Sequence, residues 1–171
     1  MANTNNIFLI GMMGSWKSSV AKELTKKLNM KSCDIDEDIE SLTELTITDI
    51  FIKYGEKRFR EMESIYFIEK AKQNETIFST GGGIILNKKC REILTNNGLT
   101  FFLDAPVNIL AERLKKLSNR PLLKNKNKKV ALSKYYDDRI EHYRNCSNYI
   151  IKTENSNPKS IAYKIIEYYN E

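Results

Sequence analysis

The sequence predicts an α/β domain, a three-layer sandwich around a five-stranded parallel sheet. Three observations predict it. Strand-like and helix-like stretches alternate along the chain, the pattern that gives parallel strands joined by crossover helices. The run Ile7–Ile10 is apolar throughout, as a strand covered on both faces requires. A length of 171 residues suffices for one core and not comfortably for two, so residues 1–171 are expected to form a single domain.

Each element follows in order. After Ile7–Ile10 comes a glycine-containing turn, and then Val20, Leu24 and Leu28 mark one face of a first helix. Lys31 to Cys33 reads as a short second strand. Thr48 is expected to cap a helix that buries Phe51 and Ile52 and stops at Gly55, with Glu56 to Ala71 as the next helix. Thr76 to Ser79 is a strand running into Gly81-Gly82-Gly83. Asn87 to Asn96 is a helix closed by Gly98, and Leu99 to Leu103 is the fourth strand. Pro106 opens a helix at a position where its missing N–H costs nothing. Val130 to Asn145 is helical, Tyr149 to Ile151 is the last strand, and Pro158 starts a terminal helix with Ile161 and Ile165 inward.

Composition narrows the function classes. Hydrophobic content of 41% and charged content of 29% are those of a soluble globular protein. No apolar run approaches the roughly 20 residues of a membrane helix, and the first residues lack a signal-peptide pattern, so a cytoplasmic protein is expected. Cys33, Cys90 and Cys146 are widely spaced and form no CxxC pair, which argues against a disulfide framework and against zinc. His142 is the only histidine, too few for His-based metal or triad chemistry. The net charge of +6 suits an anionic partner, either nucleic acid or small phosphorylated molecules, though much of it lies in KNKNKK. No motif for reading nucleic acid is present, and a monomer without membrane or nucleic-acid partners is expected.

The segment Gly11-Met12-Met13-Gly14-Ser15-Trp16-Lys17-Ser18 lies between the first strand and the first helix, the place of a P-loop. Such a site needs glycines so that backbone N–H groups can turn around a polyphosphate. It also needs a lysine for the β and γ phosphates, a hydroxyl for Mg²⁺, and a helix N-terminus facing the anion. Gly11, Lys17 and Ser18 are in register, but Trp16 stands where GxxxxGK[ST] has its second glycine. A non-glycine residue at positive φ costs about 1–2 kcal/mol, so Trp16 is expected to weaken ATP binding relative to Trp16→Gly. Three readings of Trp16 are open: a tolerated residue with its indole turned outward, the mark of a degenerate enzyme, or an introduced single-base codon change.

Five separated motifs, GMMGSWKSS, CDIDEDIE, GEKRFREME, STGGG and NRPLL, with HYR as a shorter sixth, stand in one order along nearly the whole chain. In this set the chain resembles shikimate kinase, within the nucleoside-monophosphate-kinase-like P-loop group. The resemblance implies ATP and Mg²⁺ as cofactors, a substrate-binding region near 34–62 and a lid near 113–129. It implies nucleotide contacts from Gly11, Gly14, Ser15, Trp16, Lys17, Ser18, Ser19, Arg113 and Arg120, with Ser18 and Asp34 on the metal. Asp36 would orient the attacking hydroxyl and act as base. Arg60 and Arg144 would grip the carboxylate of shikimate, beside Gly81, Gly82 and Gly83. Lys17, Asp36 and Arg120 would carry the transfer, and Glu63, one turn after Arg60, could orient it. A related small-metabolite kinase of the gluconate-kinase type, and a protein that binds shikimate but not ATP, remain as alternatives.

Overall fold

The computed structural model describes residues 5–115 and 128–171. Its strands are β1 (Ile7–Ile10), β2 (Lys31–Asp34), β3 (Thr76–Ser79), β4 (Leu99–Asp104) and β5 (Tyr149–Lys152). Its helices are α1 (Lys17–Leu28), α2 (Ile35–Thr43), α3 (Ile47–Lys70), α4 (Lys88–Asn96), α5 (Val107–Lys115), α6 (Lys128–Cys146) and α7 (Pro158–Tyr169), with a 3₁₀ turn at Ile84–Leu86. The strands pair in parallel in the order β2-β3-β1-β4-β5.

The central strand shows why the apolar runs are continuous. Along β1, Phe8 and Ile10 join the core beneath α2, α3, α4 and α6, while Ile7 and Leu9 join the core beneath α1 and α7. The same alternation sends Phe78 and Phe102 to the first core, and Ile77, Phe101 and Leu103 to the second. Both pleat faces of the central strand are covered, so β1 carries apolar side chains on both of them. Among the described residues, no helix is long and apolar enough to cross a membrane.

Local differences from the sequence reading have physical causes. The cap of α3 is Thr46, whose side chain accepts from the Asp49 N–H, so the helix starts one residue before Thr48. That start turns Ile50 inward, fully buried, and leaves Ile52 at 73% exposure on the opposite face. Gly55, with φ 80 and ψ 164, breaks the helix at the expected place, and Glu56 onward continues in a new direction. Helix α2, absent from the sequence reading, is capped by Asp34, which accepts from the N–H groups of Asp36 and Glu37.

Strand order reverses at β1, which lies between β3 and β4. The carboxyl ends of parallel strands at such a point open a crevice. Leu9, Ser79 and Asp34 share one register row across β1, β3 and β2. Beyond it, Thr80 donates from both its N–H and its hydroxyl to the Leu9 carbonyl, at 3.3 and 3.0 Å. The glycine run after β3 is thereby held against the turn after β1.

Candidate active site

The turn between β1 and α1 forms a cradle at the helix N-terminus. The Lys17 ammonium, 8% exposed, donates to the carbonyls of Gly11 and Met12 at 2.9 and 3.0 Å and reaches Ser15 Oγ at 3.4 Å. The cation therefore lies inside the turn, where it can exchange carbonyls for phosphate oxygens. Ser18 Oγ donates to Asp34 Oδ2 at 2.6 Å and lies 3.2 Å from Ser79 Oγ. These are hard oxygen donors, suited to Mg²⁺ held partly by phosphates and water. Among the described residues, no group of three or more His, Cys, Asp and Glu side chains could hold a metal alone. The cradle is lined by Met13, Gly14, Trp16, Lys17, Ser18 and Ser19, and on its far side by Asp34, Asp36, Ser79, Thr80 and Gly82.

Trp16 adopts φ 72, ψ 19, a left-handed conformation at the head of α1. Its indole stacks on Arg113, whose guanidinium carbon is 3.3 Å from the ring centroid. Arg113 is held at its edge by Thr153, donating to its hydroxyl at 3.0 Å and its carbonyl at 2.6 Å, and it reaches the Gly14 carbonyl at 3.4 Å. The lysine, not the indole, fills the turn.

A second cavity adjoins the first. Asp36, Phe51, Phe59, Arg60, Glu63 and Arg139 line it, with Met13, Ile47 and the three glycines after β3. Helix α3 supplies Arg60 and Glu63 one turn apart, and Arg60 Nη1 donates to Glu63 Oε2 at 2.7 Å. A second carboxylate, Glu56, accepts from Nη2 at 3.3 Å. Glu63 is fully buried, and among the described residues its Oε1 and the Arg60 Nε have no hydrogen-bond partner. Burial pushes the Glu63 carboxyl up to about 7, against the opposing pull of Arg60, while Asp36 adds to the rise.

The glycines are required here by close approach. A Cβ at Gly81 would stand 1.9 Å from Glu63 Oε1, and one at Gly83 would stand 2.3 Å from Arg60 Cζ. Any side chain at either position would displace this ion pair.

From the other side, α6 presents Arg139, only 3% exposed, which donates to the Gly82 carbonyl at 3.2 Å. Tyr143, one turn on, is buried and donates its hydroxyl to the same carbonyl.

The chain matches the family profile described as Shikimate kinase over residues 13–170. The chain belongs to the shikimate kinase family. Shikimate kinase of Thermodesulfovibrio yellowstonii is 38% identical over 164 residues, covering 96% of this chain and 94% of that protein. Shikimate kinase of Caldicellulosiruptor saccharolyticus is 40% identical over 162 residues, with 94% and 93% covered. Among solved structures, shikimate kinase from Acinetobacter baumannii in complex with shikimate superposes with a TM-score of 0.93 at 33% identity, over 96% of this chain and 92% of that one. Deoxyadenosine kinase from M. mycoides shares the fold, with a TM-score of 0.62 at 16% identity.

Within this shikimate kinase fold, the residues expected from sequence gather with two exceptions. Lys17, Ser18 and Asp34 meet in the cradle, and Asp36, Arg60 and the glycine run meet in the pocket. Arg144 does not join them. It is exposed and pairs with Glu141 at 2.9 Å, because one residue beyond the inward Tyr143 the helix has turned about 100° toward solvent. Arg139 takes the inward position instead. Sequence reading missed it, although it lies four residues before Tyr143 and hence on the same helical face. Arg120 lies outside the described residues.

Proposed function

We propose that the chain transfers the γ-phosphoryl group of ATP to the 3-hydroxyl of shikimate, giving shikimate 3-phosphate and ADP, as a cytoplasmic monomer. One observation carries the reading: the phosphate cradle and the second cavity share Met13, Asp36 and Gly82 as a common wall. A terminal phosphate in the cradle thus faces an acceptor in the pocket across one carboxylate.

Each residue's task follows from its place. The turn's N–H groups and the α1 terminus take the polyphosphate, and Lys17 moves from its carbonyls to the phosphate oxygens. Ser18 and Asp34 would hold Mg²⁺, which when bound would supply charge neutralisation at the phosphates. Arg60 and Arg139 receive the acceptor's carboxylate, with Arg139 standing where the sequence suggested Arg144. Asp36 orients the attacking hydroxyl and takes its proton. Phe51 and Phe59, with ring centroids 5.1 Å apart, provide an apolar wall for the ring of the acceptor. Catalysis is then alignment and charge compensation, as phosphoryl transfer requires.

ADP release measured with and without shikimate, over a panel that includes gluconate, tests this. Release dependent on shikimate is expected; equal or greater release with another acceptor would overturn the substrate assignment.

A further inference from the structure

The phosphate cradle opens in two directions. One leads through Met13, Asp36 and Gly82 to the acceptor pocket. The other leads past Trp16, which the cradle shares with an outer groove completed by Glu112, Arg113 and Lys115. A nucleotide with its terminal phosphate toward the acceptor must send its base the second way.

In that groove the surface for a flat ring is the guanidinium plane of Arg113. Its edge is committed to Thr153 and Gly14, so only its faces remain to meet a ligand. A planar, weakly hydrated cation stacks well on a planar ring. Trp16 already does this at 3.3 Å, and its indole also packs against the core beneath α1 and α7. The backbone at Trp16 holds a left-handed conformation while it does so.

We propose that Trp16 is a built-in occupant of the base seat. Its indole covers the guanidinium face on the cradle's side, since Trp16 lines both cavities, so the chain holds a nucleotide by its phosphates and gains little from the base. The same arrangement makes it indifferent to which base the triphosphate carries. The proposal rests on the kinase reading for the use of the cradle.

Calorimetric titrations of the wild-type chain, Trp16→Gly and Trp16→Phe with magnesium ATP, magnesium GTP and magnesium tripolyphosphate test it. In the wild type the three dissociation constants are expected to agree within about threefold, since stacking of a base on an open face would separate them by about tenfold or more. In Trp16→Gly, a residue suited to positive φ, ATP should tighten about tenfold relative to tripolyphosphate. Trp16→Phe keeps a ring in the seat and should behave as the wild type. A wild-type preference for ATP over tripolyphosphate of about tenfold overturns the proposal, as does an unchanged ratio in Trp16→Gly. Those outcomes leave the kinase reading standing. Absence of binding by every ligand to every variant, with circular dichroism showing them folded, overturns both.

Discussion

The acceptor pocket and the nucleotide groove both present guanidinium planes, and they differ in what already holds them. In the pocket, Arg60 is gripped in its plane by two carboxylates, Glu63 and Glu56, and Phe59 stands 5.1 Å off its face. In the groove, Arg113 is gripped in its plane by carbonyl and hydroxyl oxygens, and an indole lies against its face at 3.3 Å. A guanidinium held by carboxylates can exchange one anion for another, and the Arg60 Nε makes no hydrogen bond among the described residues. One held by neutral backbone and covered by a ring has little left for an anion. The same residue type therefore keeps an edge exchangeable for an anion in the pocket and a covered face in the groove.

Asp36, on the wall the two cavities share, gives the severest test of whether they form one site. Asp36→Asn keeps the size and removes the carboxylate. Turnover is expected to fall by about 10²–10⁴-fold with circular dichroism unchanged. Turnover within a factor of about three of wild type would separate the cavities and remove Asp36 from the chemistry.

The next effect contrasts two arginines on one helix. Arg139→Ala removes a buried, charged hydrogen-bond donor and should raise the KM for shikimate by about 10–100-fold while leaving the KM for ATP nearly unchanged. Arg144→Ala removes one member of an exposed pair with Glu141, and both KM values should stay within about twofold of wild type. The reverse ranking would restore the assignment suggested by HYR.

That contrast also shows what the sequence can and cannot disclose. The centre of the sheet was legible because β1 and β4 are buried on both faces and written as apolar runs, whereas the edge strand β2, Lys31–Asp34, is polar and half-exposed and was legible only by its place in the strand–helix alternation. The cradle was legible because Gly11, Lys17 and Ser18 keep a P-loop register despite Trp16, and because CDIDEDIE, GEKRFREME, STGGG and NRPLL follow in order. Arg139 was not, because an inward arginine and an outward one read alike until the helix phase is fixed by Tyr143. Glu63 suggested an ion pair, but its burial under Gly81 depends on two distant segments meeting. Thr153 as the anchor of Arg113 has no local signal, being set by the register of β5 on β4, where Asp104 pairs with Lys152.

A smaller effect concerns the anion already in the pocket. Burial raises the Glu63 carboxyl from the ordinary 4.5 to about 7, so the folded protein holds this proton more tightly than the unfolded chain. Its contribution to stability is then fullest below about pH 4.5, declines as pH rises through about 7, and changes no further above that. A carboxylated acceptor brings a second negative charge beside Glu63 and should favour its protonated form. Shikimate binding is accordingly expected to take up protons near neutral pH and to weaken as pH rises past about 7. Calorimetry in buffers of different ionisation enthalpy measures that uptake. Glu63→Gln should abolish it, and uptake that persists in this variant would assign the proton elsewhere.

The smallest expected effect is on stability at Trp16, and it asks whether the groove's cover is also a strut. Trp16→Gly relieves a left-handed backbone worth about 1–2 kcal/mol. It also frees the unfolded chain by about 0.5–1 kcal/mol and loses an indole–guanidinium contact worth about 0.5–2 kcal/mol. The indole's partial packing against the core beneath α1 and α7 adds to the losses, so the net effect should be a loss of no more than about 2 kcal/mol. Urea unfolding of the two proteins measures it. A loss of about 3 kcal/mol or more would mean that the indole ties α1 to α5 as part of the core. Arg113 would then be a structural anchor, unlike Arg60 and Arg139 in the pocket, and the cover on its face would be part of the fold rather than of the groove.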